Sequence, residues 1–215
     1  MNIRNYTFEE FVDRVREFHG YAAPGVIIGG FMVDLAYRFL PEGGLLDALS
    51  ETPKCLPDAI QLLTPCTTGN GWLTVMNVGR FALTLYDKES GEGVRVFVDT
   101  DKLDPWPELK TWFFKLKPKK EQDSDLLSTQ IKEASNRICG VQKVKIADRF
   151  LQHRKRGSLA VCPVCKEGYP LDDGPLCLSC SGKESLYLSI KKDNRNAGNQ
   201  NCTGDEIFDE SLPGI

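Results

Sequence analysis

Residues 72–98, WLTVMNVGRFALTLYDKESGEGVRVFV, decide the fold class of this chain. Three runs within this stretch have the apolar, β-branched and aromatic character of strands, namely 72–78, 81–86 and 94–98. The connections between them, Gly79-Arg80 and residues 88–93, suit hairpin turns because glycine tolerates the backbone angles of a tight turn. The stretch therefore predicts an antiparallel meander of three strands.

Helical patterns lie on both sides of the meander. Thr7 and Glu10 form a capping box ahead of an apolar stripe that runs from Phe8 to Phe18. Gly29-Gly30 interrupts the next apolar helix, and we expect another backbone to pass close to it. Helices are predicted at 7–20, 24–40, 57–65 and 123–137, and further strands at 48–52 and 141–146. Because helices and strands segregate rather than alternate strictly, the predicted fold class is α+β, with helices packed on an antiparallel sheet.

The composition argues against several classes of protein. The chain has 215 residues, a net charge of −3 and a pI of about 5.5, an acidic balance unlike that of proteins that coat nucleic acid. No run approaches the roughly 18 consecutive apolar residues of a transmembrane helix, so no membrane partner is expected. The opening residues, MNIRNYTFEEF, contain no secretory signal. Cytoplasm is therefore the expected compartment.

Changes in composition divide the chain into four parts. Residues 1–146 are predicted to form the α+β core, and residues 147–158 a basic linker. Residues 159–187 form a small cysteine-rich module. Residues 188–215 are rich in Asn, Gly, Asp and Glu and poor in apolar residues, so they are predicted to form a flexible tail.

The strongest motif in the sequence consists of four cysteines, Cys162, Cys165, Cys177 and Cys180. Each CxxC pair can turn two thiolates toward one metal ion. Two such pairs complete the tetrahedral S4 set that suits Zn2+ at a Zn–S distance of about 2.3 Å. The module has few apolar residues, so the metal is expected to supply folding energy. Because an S4 site has no open position for a substrate, the sequence predicts structural zinc.

Two basic stretches raise the alternative of nucleic-acid binding. Residues 110–120 interleave Trp112, Phe113 and Phe114 with five lysines, a combination that can stack on and neutralise a single strand. The simpler interpretation places the aromatic side chains in the core and the lysines in solvent. Arg154-Lys155-Arg156 directly precedes the cysteine-rich module. The alternative function is therefore a zinc-ribbon module that binds nucleic acid or protein without catalysis, although the acidic pI argues against nucleic acid.

The core offers few candidate functional residues. His19, Cys55, Asp58 and Cys66 each lie beside a chain reversal or a helix start, where side chains can converge. Phosphate-binding, hydrolase and metalloprotease motifs are absent from the sequence. One alternative makes Cys55 a nucleophile with His19 as its base, which requires a depressed thiol pKa. Cys66 is either a packed thiol or a participant, and the sequence assigns no role to Cys139 or Cys202.

Two stretches of the core resemble the signatures of a known family. Residues 18–25, FHGYAAPG, and residues 55–71, CLPDAIQLLTPCTTGNG, are similar to those of the FmdE family, which is named after formylmethanofuran dehydrogenase. Residues 78–87 and 94–96 fit the same family. The resemblance covers about residues 8–100 and extends more weakly to about residue 150. Some members also carry a C-terminal zinc module, as this chain is predicted to do.

The resemblance implies an α+β core, a homodimer and an accessory role beside a molybdenum or tungsten oxidoreductase of one-carbon metabolism. It also implies a core site with a second bound metal, built from histidine and cysteine of the two signatures. At the matching positions, His19 would be a ligand or general base and Cys55 a thiolate ligand. Asp58 would position the cysteine or the ligand, and capping of a helix is its simpler role.

The first signature departs from the family pattern at two positions. The family usually reads His-Gly-His-x-Cys-Pro-Gly, whereas this chain has Tyr21 in place of the second histidine and Ala23 in place of the cysteine. Neither a phenol nor a methyl group replaces imidazole or thiolate as a soft metal ligand. The sequence leaves three outcomes open: weaker metal binding, a different ligand, or a lost activity.

Overall fold

The computed structural model describes residues 2–40, 44–151, 157–184 and 187. The chain divides into two compact units, residues 1–152 and 153–215. The helices of the first unit are α1 (Phe8–His19), α2 (Pro24–Tyr37), α3 (Leu56–Leu63), α4 (Pro107–Phe113) and α5 (Ser124–Ala134). Its strands are β1 (Asn2–Ile3), β2 (Tyr6–Thr7), β3 (Leu46–Ser50), β4 (Leu73–Val75), β5 (Ala82–Asp87), β6 (Glu92–Val98) and β7 (Cys139–Lys145). No helix in the described part of the chain is long and apolar enough to cross a membrane.

A five-stranded sheet organises the first unit. Its strand order is β4-β3-β5-β6-β7, and every neighbouring pair is antiparallel except β3 and β4. Helices α2 and α3 pack against this sheet. The core between the two layers contains Leu83 and Leu85 of β5 together with Val94 and Val96 of β6. The predicted α+β class is therefore confirmed.

The predicted three-strand meander is wrong at its first connection. β5 and β6 form the expected hairpin, but β4 does not pair with β5. β3 lies between them, with Ala48 opposite Leu73 of β4 on one side and opposite Leu85 of β5 on the other. The reason is that α3 connects β3 to β4, and a helical crossover lets two successive strands pair in parallel.

α1 begins and ends as the sequence predicts. The Glu10 N–H donates to the Thr7 side chain (3.2 Å), and the Thr7 N–H donates to the Glu10 carboxylate (2.7 Å). Gly20 ends the helix at a φ of 91°, a left-handed conformation that glycine adopts without strain. The predicted apolar stripe is wrong at Phe18, which is 53% exposed. The buried face ends at Val15, because the last turn of the helix extends past the core.

α2 is the central helix of the first unit, and most of its residues are buried. At Gly29 it passes close to α3, because an added Cβ atom would lie 2.6 Å from the Cβ of Ala59 and 4.0 Å from the Cα of Leu56. The expected close approach of another backbone is therefore confirmed at Gly29. At Gly30 the neighbour is instead a side chain, since an added Cβ would overlap the ring of Phe11.

The sequence analysis missed α4, which begins at Pro107 in the first helical turn. The residue before it, Trp106, provides no side-chain cap. The first N–H groups are satisfied from α5, where Gln130 Oε1 accepts from Glu108 N (2.9 Å) and Leu109 N (3.0 Å). A cap supplied by a distant residue leaves no local signature, so the sequence pattern showed only aromatic residues and lysines.

The second unit contains a small hairpin of β8 (Leu159–Val161) and β9 (Gly168–Pro170). Cys162 and Tyr169 are the buried residues among positions 157–184. Hydrophobic burial therefore contributes little to the stability of this unit. Of the predicted linker and module, residues 152–156 and 185–186 lie outside the described residues, as does the predicted flexible tail at 188–215.

Candidate functional site

The four cysteine side chains of the second unit converge as the sequence predicts. The Sγ atoms of Cys162, Cys165, Cys177 and Cys180 all lie within 4.8 Å of one another. Those of Cys165 and Cys177 are 3.8 Å apart. A tetrahedron with Zn–S bonds of about 2.3 Å has edges of about 3.8 Å, so the four thiols fit the S4 set of a structural zinc ion.

Local backbone turns bring each CxxC pair around one point. In the first pair, the Lys166 N–H donates to the Cys162 carbonyl (2.9 Å), with Lys166 at a left-handed φ of 66°. In the second pair, the Cys180 N–H donates to the Cys177 Sγ (3.4 Å). Each turn closes within a few residues. The spacing in the sequence was therefore enough to predict this site.

The electrostatics of the four thiols also suit a cation. Backbone N–H groups of Cys177 and Cys165 lower the pKa of Cys162 to about 6. The neighbouring Cys177 side chain raises the pKa of Cys180 to about 12. One thiolate therefore forms readily, and each further thiolate is opposed by those already present. A divalent cation removes this opposition, because thiols that coordinate a metal are deprotonated outright.

In the first unit, the structure brings His19 and Asp58 together. His19 Nδ1 and Asp58 Oδ2 are 2.5 Å apart, and both side chains are largely buried. His19 is the last residue of α1, and Asp58 lies in the first turn of α3. A carboxylate can only accept hydrogen bonds, so Nδ1 donates and Nε2 keeps its lone pair. The simpler role of Asp58 as a helix cap is wrong, because α3 has no side-chain cap.

Cys55 occupies a strained turn directly before α3. Its φ and ψ are 63° and −53°, and the Leu56 N–H donates to the Lys54 carbonyl across it (2.7 Å). These values describe the rare form of γ-turn with positive φ. Such conformations of non-glycine residues cost about 1–3 kcal/mol and cluster at functional sites. The structure thus holds the Cys55 side chain in place at an energetic cost.

Two substitutions at Cys55 separate this strain from the role of the thiol. We expect Cys55→Gly to be more stable than Cys55→Ala by about 1 kcal/mol, because glycine adopts a positive φ freely and alanine does not. Urea denaturation followed by tryptophan fluorescence measures the difference, since all three tryptophans lie in the first unit. An alanine variant as stable as the glycine variant would contradict the strain at this position.

The Cys55 thiol packs against the first turn of α2. A Cβ atom added to Gly25 would lie 2.8 Å from Cys55 Sγ and 3.6 Å from Cζ of Phe81, so a glycine at this position leaves room for the thiol. Burial raises the pKa of the Cys55 thiol, and the Asp58 carboxylate raises it further. This direction counts against Cys55 as an activated nucleophile, which needs a depressed pKa to react as a thiolate at neutral pH.

The two departures from the family signature occupy different surroundings. The Tyr21 ring centroid lies 5.1 Å from that of His19, and the side chain is about half exposed. Ala23 is buried at the N-terminus of α2. Cys66 is a packed thiol in the core that donates to the Leu46 carbonyl (3.4 Å), and burial raises its pKa to about 11. Tyr21 is thus the departure that changes the surface around His19.

The core residues do not converge as the four cysteines do. His19, Cys55 and Asp58 do not bring three ligand atoms within 4.8 Å of one another. With Asp58 bound to His19 Nδ1, the ligands left are His19 Nε2 and Cys55 Sγ, and a metal role for this pair stays a prediction. Cys139 is buried in the core, and Cys202 lies outside the described residues.

The sequence analysis missed two neighbours of the site, Gly25 and Lys119. Lys119 Nζ lies 5.2 Å from the Tyr21 ring centroid. The signal for Gly25 was its place inside a signature, directly after the proline that opens α2. Lys119 gave no such signal, because it is far from Tyr21 in the sequence and only the tertiary fold brings the two together.

An α+β unit with a paired histidine and carboxylate, followed by a four-cysteine module, defines a metal-binding protein with a zinc finger. The chain belongs to the FmdE family, since residues 18–148 match the family described as "FmdE, Molybdenum formylmethanofuran dehydrogenase operon". Residues 153–188 match the FmdE treble clef zinc finger. Both the family resemblance and the predicted zinc-binding module are confirmed.

Two known proteins are similar to this chain. The crystal structure of an FmdE-like protein of tungsten formylmethanofuran dehydrogenase, from Syntrophus aciditrophicus, has 55% identity and a TM-score of 0.82, covering 87% of this chain and 98% of that one. A probable S-adenosyl-L-methionine-binding protein from Archaeoglobus fulgidus is 30% identical over 204 residues, covering 82% of this chain. This chain spans 53% of the length of that second relative.

Proposed function

We propose that this chain is an accessory protein of a molybdenum or tungsten oxidoreductase of one-carbon metabolism, and that His19 and Cys55 hold a second, exchangeable metal. The observation that carries the proposal is the hydrogen bond between His19 Nδ1 and Asp58. Histidines that bind metal almost always donate their other ring N–H to a carboxylate, carbonyl or water. That bond fixes the tautomer and makes Nε2 a better ligand, so Asp58 is a positioning residue.

Cys55 supplies the second ligand of the proposed site. Its contact with Gly25 and its strained turn fix the direction of the Sγ atom. Because its pKa is raised, the thiol keeps its proton at neutral pH until a cation is present. A bound divalent cation would supply the charge that deprotonates Cys55, and Asp58 would hold the imidazole in its binding orientation.

The departures at Tyr21 and Ala23 make the proposed site exchangeable. Transition-metal ions such as Zn2+ take about four ligands, and His19 and Cys55 supply two of them. The phenol of Tyr21 and the methyl group of Ala23 add no soft ligand. The remaining positions are open to water or to a ligand from outside the chain. Such a site suits metal or ligand exchange, whereas the S4 site of the second unit suits a structural role.

The proposal extends to the partners that the family implies. We expect a cytoplasmic homodimer that associates with a molybdenum or tungsten oxidoreductase. The similar protein from Syntrophus aciditrophicus is named after a tungsten enzyme, which supports this choice. The name of the Archaeoglobus fulgidus relative makes S-adenosyl-L-methionine a candidate ligand for the open positions. Light scattering on the purified chain tests the dimer, and calorimetry with S-adenosyl-L-methionine tests the ligand.

Metal content tests the core site directly. We expect about two metal ions per chain in protein loaded with Co2+, one in each unit. His19→Ala and Cys55→Ser should each lower this to about one, because the four cysteines keep theirs. Asp58→Asn should weaken the affinity of the core site by about 10–100-fold, the usual effect of losing such a partner. Elemental analysis and the thiolate-to-Co2+ charge-transfer absorption measure both quantities.

A matched control is available because the chain has two histidines. His153→Ala removes the other one and should leave the metal content unchanged. If the wild-type chain holds about one metal ion, retained in His19→Ala and lost in Cys177→Ser, the core site binds none. That result would favour the alternative function, a zinc module that binds protein or nucleic acid.

A further inference from the structure

A lysine segment, defined here as residues 115–120, follows α4. It carries four lysines in six residues, and all six residues are exposed: Lys115, Lys117, Lys119 and Lys120, with Leu116 and Pro118 between them. A concentration of one charge sign attracts ions of the opposite sign. The proposed metal site does not explain why this charge is present.

The segment lies beside the core site through one residue. Lys119 Nζ is 5.2 Å from the centroid of the Tyr21 ring, within the range of a cation–π interaction. The Tyr21 ring in turn is 5.1 Å from the imidazole of His19. A molecule that approaches His19 Nε2 from solvent therefore meets a field to which Lys119 contributes.

Local hydrogen bonds hold the lysine segment in its place. The Glu121 N–H donates to the Pro118 carbonyl (2.9 Å), and the Gln122 side-chain amide donates to the Lys117 carbonyl (3.0 Å). Residues 119–121 form a turn of 3-10 helix. These bonds fix the backbone from which the Lys119 side chain reaches Tyr21, so its position is a property of the fold.

The balance of charge around the core site favours an anion. Lys119 lies over Tyr21, and Lys54 is close enough to Cys55 to lower its pKa in part. The nearby carboxylate, Asp58, is already bound to His19. The cations thus remain available to a ligand, whereas the carboxylate does not oppose one at full strength.

The aromatic residues before the lysine segment are not a stacking platform for nucleic acid. Trp112 and Phe113 are partly buried against the core, and the Phe113 ring packs edge-on against Phe81 with centroids 6.0 Å apart. A single strand needs exposed faces for successive bases. Phe114 is the ring of this trio that is exposed. The segment therefore suits a small anion better than a polynucleotide.

We infer that the core site binds a small molecule with a carboxylate or phosphate group, and that Lys119 contacts this group while Tyr21 holds the lysine in position. The inference concerns the same site as the proposed function and rests on it for location alone. It needs no metal, so the two ideas can fail separately. Lys119 is then a specificity-determining residue that selects anionic ligands.

Titration of the full chain with inorganic phosphate, and separately with acetate, tests the inference. The readout is the imidazole NMR signals of His19, assigned with His19→Gln and recorded at constant pH and ionic strength. We expect a saturable shift at His19 and none at His153. Lys119→Gln should weaken the response about tenfold, the effect of losing one hydrogen bond to a charged group. A response to one anion and not the other identifies the ligand group.

Lys120→Gln is the matched control, because it removes the same charge from the same segment. It should change the affinity less than about twofold, since an exposed charge without a direct contact contributes little. Equal weakening in the two variants would overturn the inference in favour of a diffuse field, as would the absence of any shift at His19. A tighter response to single-stranded DNA than to phosphate would overturn the choice of a small molecule.

The same samples separate this inference from the proposed function. Lys119→Gln should keep the metal content of the wild-type chain. Cys55→Ser should lose the core metal and keep the phosphate response at His19. If the wild-type core holds no metal while phosphate still shifts His19, the proposed metal site fails and the anion site stands. If metal is bound and phosphate shifts nothing, the anion site fails alone.

Discussion

Replacing Cys177 with serine is expected to release the zinc and unfold the second unit while the first unit stays folded. A serine hydroxyl does not ionise at neutral pH, so the S4 set loses one thiolate. Structural zinc contributes an apparent 10–16 kcal/mol, roughly, to the folding of zinc-finger peptides at pH 7. Cys162 and Tyr169 are the buried residues among positions 157–184. Little apolar burial is left to hold the β8–β9 hairpin once the metal is gone.

Zinc content and limited proteolysis measure this effect together. Ser179→Ala is the matched control, because Ser179 lies exposed between Cys177 and Cys180 and its backbone carbonyl makes the local hydrogen bond. It should keep the zinc and the protease resistance of the wild-type chain. Adding a chelator to the wild-type protein should reproduce the cleavage seen in Cys177→Ser. A second unit that stays protease-resistant without zinc would disprove the structural role of the metal.

Phe11→Ala is expected to destabilise the first unit by about 3–5 kcal/mol, the usual cost of truncating a buried aromatic side chain. Phe11 is fully buried, and its ring lies against Gly30 of α2. A Cβ atom added to Gly30 would overlap this ring, with Cζ at 2.6 Å. The ring therefore fills the space that a side chain at position 30 would need.

The effect of Gly30→Ala should change sign with the residue at position 11. In the wild-type chain we expect a loss of about 1–2 kcal/mol, because overpacking outweighs the gain of about 1 kcal/mol in helix propensity. In the Phe11→Ala background we expect a gain of about 1 kcal/mol, since the methyl group enters the cavity. Urea denaturation followed by tryptophan fluorescence measures both. The same sign in both backgrounds would contradict the shared volume.

Gly29→Ala serves as the control for this pair. Its added Cβ would lie 2.6 Å from the Cβ of Ala59 on α3, and Phe11 is not among its neighbours. We therefore expect Gly29→Ala to destabilise the first unit in both backgrounds. A stabilising effect of Gly29→Ala in the Phe11→Ala background would mean that the helices shift as a whole.

The candidate sites could be predicted from the sequence to different depths. The zinc ligands follow from spacing alone, because each CxxC turn is closed by hydrogen bonds between residues a few positions apart. His19, Cys55 and Asp58 could be named from the two signatures. Their arrangement could not, since the bond between His19 and Asp58 joins residues 39 positions apart. The positive φ of Cys55 was equally hidden, because cysteine gives no sign of a strained turn.

By itself, the sequence determined the features that depend on neighbouring residues: the capping box of α1, the β5–β6 hairpin and the four cysteines around one point. The tertiary structure decided the insertion of β3 between β4 and β5, the cap that Gln130 provides for α4, and the place of Lys119 over Tyr21. The physical reason is range. Hydrogen bonds within a turn are fixed by local residue types, whereas contacts between distant segments depend on how the whole chain buries its apolar surface.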